Sequence, residues 1–243
     1  MQTPKFKSFS KRSRQKEKTR IAERTFSEDE FCDRLYGEIQ NEGTCGWYVK
    51  QSHIALEKHL PPLDNSCDLL ELGCNHGEHS PYVTHPYASY KSTDYRPIDF
   101  VPLNDRISFE IADAQNLSYP DNSFDRIIMT CVLHHLKDPM SSLQEMRRVA
   151  RSNATISILL PTDPGFLYRI GKVLGPYRTV RNQNLDFDPR FFHYQQHQNH
   201  FPGLKTMIDH VFKSDQIREI RWPLPWHFWN LNLFSVFQIK VDK

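Results

Sequence analysis

The stretch that most constrains this chain is Asp68-Leu69-Leu70-Glu71-Leu72-Gly73-Cys74-Asn75-His76-Gly77. A short apolar run ends in a turn with glycines at 73 and 77 and Asn75 between them. Glycine accepts backbone angles that a Cβ forbids, so it belongs where a strand bends sharply beneath a ligand. Asn is the next residue to tolerate a left-handed backbone, which keeps the turn feasible with one glycine missing. Strand followed by tight turn is how open α/β sheets build a nucleotide-sized crevice at the carboxyl ends of their strands.

The acidic and apolar punctuation that follows extends the pattern. A second strand ends at Thr93-Asp94, and Asp94 lies 23 residues after Glu71. That is near the spacing at which such folds set a carboxylate on a ribose diol, whose two hydroxyls it can accept together. Only 12 residues, with Pro97 and Pro102 among them, separate Asp94 from a third strand at 107–111, so an irregular link is expected there. A fourth strand spans 124–130 after the turn signal Tyr119-Pro120-Asp121-Asn122-Ser123. Asp138-Pro139 then reads as a capped helix start, with Met140, Leu143, Met146 and Val149 on its apolar face. A fifth strand is expected over 155–160, a helix at about 204–213, a sixth strand over 216–222 and an antiparallel last strand over 231–241. Alternation of strands with helical stretches makes the sheet mostly parallel.

Outside this frame, Phe31, Leu35 and Ile39 mark a helix over about 28–40, and a second runs from Trp47 to Leu60, stopped by Pro61-Pro62. A short helix carrying Pro81 in its first turn is expected after the glycine turn. The expected organisation is a basic, disordered tail (1–25), then a single domain over 26–243. Its N-terminal helices cover 26–62 and a lid-like insertion covers 161–204, where periodicity fades and Pro, Tyr and His become common.

Charge and composition exclude several classes. The tail holds nine lysines and arginines against Glu17 and Glu23, a net +7; the remaining 22 basic and 27 acidic residues leave −5. A mildly acidic body is a poor grip for phosphate backbones, so no nucleic acid is expected on the folded part. Hydrophobic residues make up 38% of the chain and mean hydropathy is −0.63, with no apolar run long enough to cross a bilayer. Five scattered cysteines without a CxxC pair fit reduced thiols and a cytoplasmic setting.

Taken together, Asp68 to Gly77, Asp94, Ala112-Asp113-Ala114 and the run from Leu117 to Leu136 (LSYPDNSFDRIIMTCVLHHL) resemble class I S-adenosylmethionine-dependent methyltransferases. The last run is similar to the quinone-methyltransferase-type branch. Gly77-Glu78-His79 with Tyr82-Val83, and Asn230 to Phe234, are more faintly similar to methyltransferases of bacterial surface-polysaccharide gene sets. The resemblance implies a Rossmann-like seven-stranded, mostly parallel sheet with its last strand antiparallel, and S-adenosyl-L-methionine as cofactor. It implies that Gly73, Asn75 and Gly77 line the methionine moiety, that Glu71 belongs to the cofactor-binding set and that Asp94 takes the ribose. Tyr95 would then lie beside the adenine, Asp113 with Ala114 at its amino group, and Thr130 with Cys131 near the methionine end.

Methyl transfer to a hydroxyl needs a base as well as in-line positioning. His134 and His135, after the fourth strand, are the catalytic candidates. His193 and the aromatic turn with Trp226 and Trp229 are the candidate acceptor contacts, a small-molecule or carbohydrate surface. His193, His197 and His200 have spacings that suit a metal on a helical face, but Gln and Asn between them read as polar surface, so no metal is expected. Two rivals remain. A dinucleotide oxidoreductase is disfavoured because the turn is G-x-x-x-G rather than G-x-G-x-x-G, and a non-catalytic binding module is kept alive by Asn75.

Overall fold

The computed structural model describes residues 43–58, 60–63, 66–178, 188–226 and 228–243. The basic tail and the helix expected over 28–40 lie outside the described residues. The elements run α1 (Gly43–Glu57), β1 (Asp68–Leu72), β2 (Ser89–Asp94), β3 (Ile107–Ile111), β4 (Phe124–Thr130), α2 (Pro139–Val149) and β5 (Ala150–Pro161). They continue with α3 (Phe166–Leu174), α4 (Pro189–Gln196), α5 (Phe201–Val211), β6 (Gln216–Trp222) and β7 (Phe234–Lys240).

The strands form one seven-stranded sheet in the order β3-β2-β1-β4-β5-β7-β6. β1 to β5 pair in parallel, while β7 runs antiparallel to both β5 and β6. β1 is central and buried on both faces, as a parallel strand must be. Leu70 and Leu72 enter the apolar layer that holds Leu143, Met146 and Val149 of α2 and Leu204 and Ile208 of α5. Leu69 points to the other layer, against Ala55 and Leu56 of α1 and Phe234 and Val236 of β7. Each fully buried Leu, Ile or Phe contributes about 1.5–3 kcal/mol of apolar transfer, so these two layers dominate the fold's cohesion.

Helix α2 starts where its cap predicts: the Asp138 carboxylate accepts from Ser141 N, and Pro139 sits in the first turn. α1 is held to the sheet by charge as well as apolar contact. Arg126 of β4 is fully buried and donates through Nη1 to Glu57 Oε2 at 3.0 Å, while its Nη2 bonds Glu57 Oε1. His79 Nε2 reaches Glu57 Oε1 at 2.9 Å from the segment after β1. Burial works against the charged carboxylate of Glu57, but hydrogen bonds from His79 and Arg126 overcome it and hold the group at about 2.

Four expectations change. The helix after the glycine turn is a single 3₁₀ turn (Ser80–Tyr82), because Pro81 and the 83–88 segment with Pro86 leave no length for an α-helix. β5 begins at Ala150, and Asn153 bends it with a left-handed backbone (φ 65°). β7 begins at Phe234 rather than 231, since Trp229–Leu231 closes a 3₁₀ turn. The 161–204 segment contains α3 and α4 and the start of α5, so its aperiodic sequence conceals short helices. Among the described residues no helix is long and apolar enough to cross a membrane.

Candidate functional site

The turn after β1 is stitched to the end of β2. Gly73 N and Cys74 N both donate to Thr93 O at 2.8 Å, and Gly77 N closes on Cys74 O at 2.9 Å. Gly73 (φ 71°), Asn75 (φ 45°) and Gly77 (φ 86°) all take left-handed backbone, as the sequence requires. The twist aims Asn75 N at Asp94 Oδ2, 3.1 Å away. Asp94 is 5% exposed at the tip of β2, and its Oδ1 accepts from Arg96 N at 3.1 Å and Arg96 Nε at 3.4 Å. Arg96 Nη2 donates in turn to Asn75 Oδ1 at 3.1 Å. Arg96 is thus a site residue that sequence reading missed, although its position two residues after the acid was visible.

The space the glycines leave is used by neighbouring side chains. A Cβ on Gly73 would lie 2.3 Å from Val132 Cγ2, and one on Gly77 2.8 Å from Phe100 Cε2. Phe100 stacks on Phe109 of β3 at 5.4 Å.

The other sequence candidates divide. Glu71 is 2% exposed and accepts from the Tyr90 hydroxyl at 2.6 Å, so its carboxyl is engaged inside the sheet layer. Burial pushes it up to about 8, against the pull of the Tyr90 hydrogen bond. Tyr95 is exposed beside Asp94, and Asp113, after β3, holds Gln115 N at 2.9 Å while its side chain remains open to solvent. Ala114 packs into the core. Thr130 Oγ1 is buried without a partner among the described residues, and Cys131 turns the chain out of β4 with φ 57°. Burial raises the Cys131 thiol to about 12, so it is no nucleophile at neutral pH.

A second group assembles beyond the ends of β4 and β5. His134 and His135 lie in a 3₁₀ turn (Leu133–His135) after β4. His135 Nδ1 donates to Gln196 O at 2.9 Å; His134 is 4% exposed and its Nδ1 has no partner among the described residues. Asp163, just past β5, places Oδ2 3.0 Å from both His193 Nε2 and His197 Nδ1. Lys172 of α3 contacts the other ring nitrogen of His193. The rings crowd, with centroids 4.0 Å apart for His134–His135, 4.3 Å for His134–His197 and 3.8 Å for His193–His197. Backbone bonds fix the arrangement: Asn199 N to His134 O at 3.2 Å and Phe201 N to Asp163 O at 2.9 Å. Burial lowers His134 far below the usual imidazole range, His197 to about 4 and Lys172 to about 7.

Two readings of this region are corrected. His193 and His197 are drawn inward by Asp163 and are not polar surface, whereas His200 is exposed at the start of α5. The three tryptophans of the β6–β7 turn do not form one wall. Trp222 stacks on Phe234 at 5.2 Å, Trp229 packs on Phe201 of the core at 5.7 Å, and Trp226 alone of the three is exposed. Apolar burial took the two rings within reach of the sheet. Asp163 and Lys172 were missed because nothing in their local sequence marks them.

Residues 70–158 match the methyltransferase domain family. The 27-O-demethylrifamycin SV methyltransferase of Amycolatopsis mediterranei is 32% identical over 161 residues, covering 56% of this chain and 57% of that protein. Ajmaline N-methyltransferase of Rauvolfia serpentina is 42% identical over 57 residues (24% of this chain, 20% of that protein). The ubiquinone/menaquinone biosynthesis C-methyltransferase of Bdellovibrio bacteriovorus is 40% identical over 53 residues (22% and 23%). The chain therefore spans between a fifth and somewhat over half the length of these curated relatives. The S-adenosylmethionine-dependent methyltransferase of Mesorhizobium loti superposes with TM-score 0.54 at 14% identity, over 76% of this chain and 95% of that one, which is a likeness of fold.

Proposed function

We propose that this chain, which carries a class I S-adenosylmethionine-dependent methyltransferase domain, transfers a methyl group to a hydroxyl of a small-molecule or glycan-linked acceptor. The observation that carries the reading is the Asn75 N–Asp94 Oδ2 contact of 3.1 Å: a buried carboxylate held against a left-handed turn on the neighbouring strand. That pairing sets a diol acceptor beside the left-handed turn of Gly73, Asn75 and Gly77, which suits an adenosyl group.

In this reading Asp94 takes the ribose hydroxyls and Tyr95 lies along the adenine. Asp113 accepts from the adenine amino group, and Gly73, Asn75, Gly77 and the backbone at Thr130 and Cys131 flank the methionine end. The donor set fits, with Arg96 Nε yielding Oδ1 and the Phe100 ring giving way at Gly77. The cofactor supplies a methyl already activated on a positive sulfur. The chain's own residues position the acceptor, exclude water and take up the proton. His135 serves as base: its Nδ1–H donates to Gln196 O, which makes Nε2 the unprotonated nitrogen of the neutral ring. His134 shapes the wall behind it. Trp226 and His193 border the acceptor. A hydroxyl is favoured because the relative sharing the longest stretch reported above is, by its name, a methyltransferase of a demethylated oxygen. A cytoplasmic setting is supported by the reduced thiols Cys67, Cys74 and Cys131.

Calorimetry with S-adenosylmethionine and with NAD, followed by labelled-methyl transfer across a panel of hydroxyl acceptors, tests the reading. Binding of the methyl donor alone and label on an acceptor oxygen are expected. Binding without turnover across the panel would point to a non-catalytic module; binding of NAD instead would overturn the assignment.

A further inference from the structure

Asp163, His193 and His197 come from two separate segments and converge on one atom. Both imidazoles approach the same carboxylate oxygen, each at 3.0 Å, and the side chains of all three are about nine-tenths buried. His193 lies on α4 and His197 caps it, so one helical turn puts both rings on one side. Two N–H donors pointing at one buried oxygen is the arrangement a cation leaves when protons stand in for it.

The spacing supports this. Bonds of about 2.0–2.2 Å to imidazole nitrogen and carboxylate oxygen, meeting at cis or tetrahedral angles, separate the ligand atoms by roughly 3.0–3.4 Å. The two separations from Asp163 Oδ2 are at that lower edge, and the ligand atoms of all three residues lie within 4.8 Å of one another. A second feature points the same way: the buried His134 Nδ1 has no partner among the described residues, and its ring lies 4.3 Å from that of His197.

We propose that Asp163, His193 and His197 bind a divalent first-row transition metal, Zn²⁺ being the representative ion. Two imidazoles, one carboxylate and no thiolate select such a metal over Mg²⁺, which prefers an all-oxygen shell. Three protein ligands leave a coordination position open, toward which an acceptor hydroxyl can be drawn and its proton made easier to remove. That use of the ion rests on the methyl-transfer reading; metal binding itself does not.

The test is calorimetric titration of the full, chelator-treated chain with Zn²⁺ in the absence of S-adenosylmethionine, repeated with Mg²⁺. Saturable Zn²⁺ binding and no comparable Mg²⁺ binding are expected. His193→Ala and Asp163→Asn should each weaken Zn²⁺ by at least about 10–100-fold, the loss that even an outer-shell partner brings. His200→Ala, at an exposed position outside the cluster, should leave it unchanged. If those variants fail to fold, X-ray absorption of the Zn²⁺-loaded wild type reads the same point: nitrogen and oxygen scattering with imidazole signatures is expected. Sulfur ligation, absence of Zn²⁺ binding, or full affinity in both His193→Ala and Asp163→Asn would each overturn the site. Because no cofactor is present, a negative result here leaves the methyl-transfer reading to be judged by its own experiment.

Discussion

Arg96 Nε and Asp94 Oδ1 lie 3.4 Å apart, and the same arginine's Nη2 reaches Asn75 Oδ1 at 3.1 Å, so one side chain spans the acid of β2 and the turn of β1. A carboxylate offers about four acceptor sites. Arg96 N, Arg96 Nε and Asn75 N approach three of them, and a ribose diol needs two. The long Nε contact is the one to yield. Asp94→Ala is therefore expected to weaken S-adenosylmethionine at least 10-fold by calorimetry, while Arg96→Ala leaves affinity equal or a few-fold tighter. Loss of binding in Arg96→Ala would show that the arginine holds the site open instead of competing for it.

Gly73→Ala combines two costs. A left-handed backbone costs an L-residue about 1–2 kcal/mol, and the new Cβ would meet Val132 Cγ2 at 2.3 Å. Adding Val132→Ala removes the collision but not the backbone cost. Denaturant unfolding of the single and double variants should show a coupling of about 0.5–3 kcal/mol between the two positions. Strictly additive losses would mean that Val132 moves aside freely.

The carboxyl of Glu71, pushed by burial from its ordinary value of 4.5 up to about 8, makes stability depend on pH. Between those values the native state keeps a proton that the unfolded chain has released, so stability falls as pH rises, by up to about 1.4 kcal/mol per unit. Below about 4.5 the contribution is complete. Glu71→Gln keeps a neutral side chain that can still pair with the Tyr90 hydroxyl, and its Tm should lose this group's slope between pH 5 and 8. An unchanged slope would assign the dependence elsewhere.

Glu57 has the opposite sign. Held at about 2, its contribution is present above its ordinary carboxylate value and is lost only as pH falls toward 2. Glu57→Ala leaves the fully buried Arg126 without its carboxylate and should cost about 3–5 kcal/mol at neutral pH. Glu57→Ala with Arg126→Met should recover most of that loss in the same unfolding experiment.

His135→Ala, with acceptor saturating, should lower kcat by about 10²–10⁴ and leave S-adenosylmethionine affinity unchanged, as expected of a general base. A change confined to KM would instead make His135 a binding contact.

Much of this molecule was legible along the chain. The strand from Asp68 to Leu72, the left-handed Asn75, the short proline-bearing link after Asp94 and the cap at Asp138 are local: backbone sterics and side-chain reach over a few residues decide them. The antiparallel return of β7 against β6 also followed, since only a short turn joins the two strands.

What the chain alone could not decide was which distant groups would meet. Asp163 finds His193 and His197 across 30 and 34 positions, Arg126 finds Glu57 across 69, and Trp229 leaves the aromatic turn for the core beside Phe201. Such encounters depend on packing against the finished sheet, where a polar group removed from water must find a partner and an apolar ring within reach of a core is drawn into it.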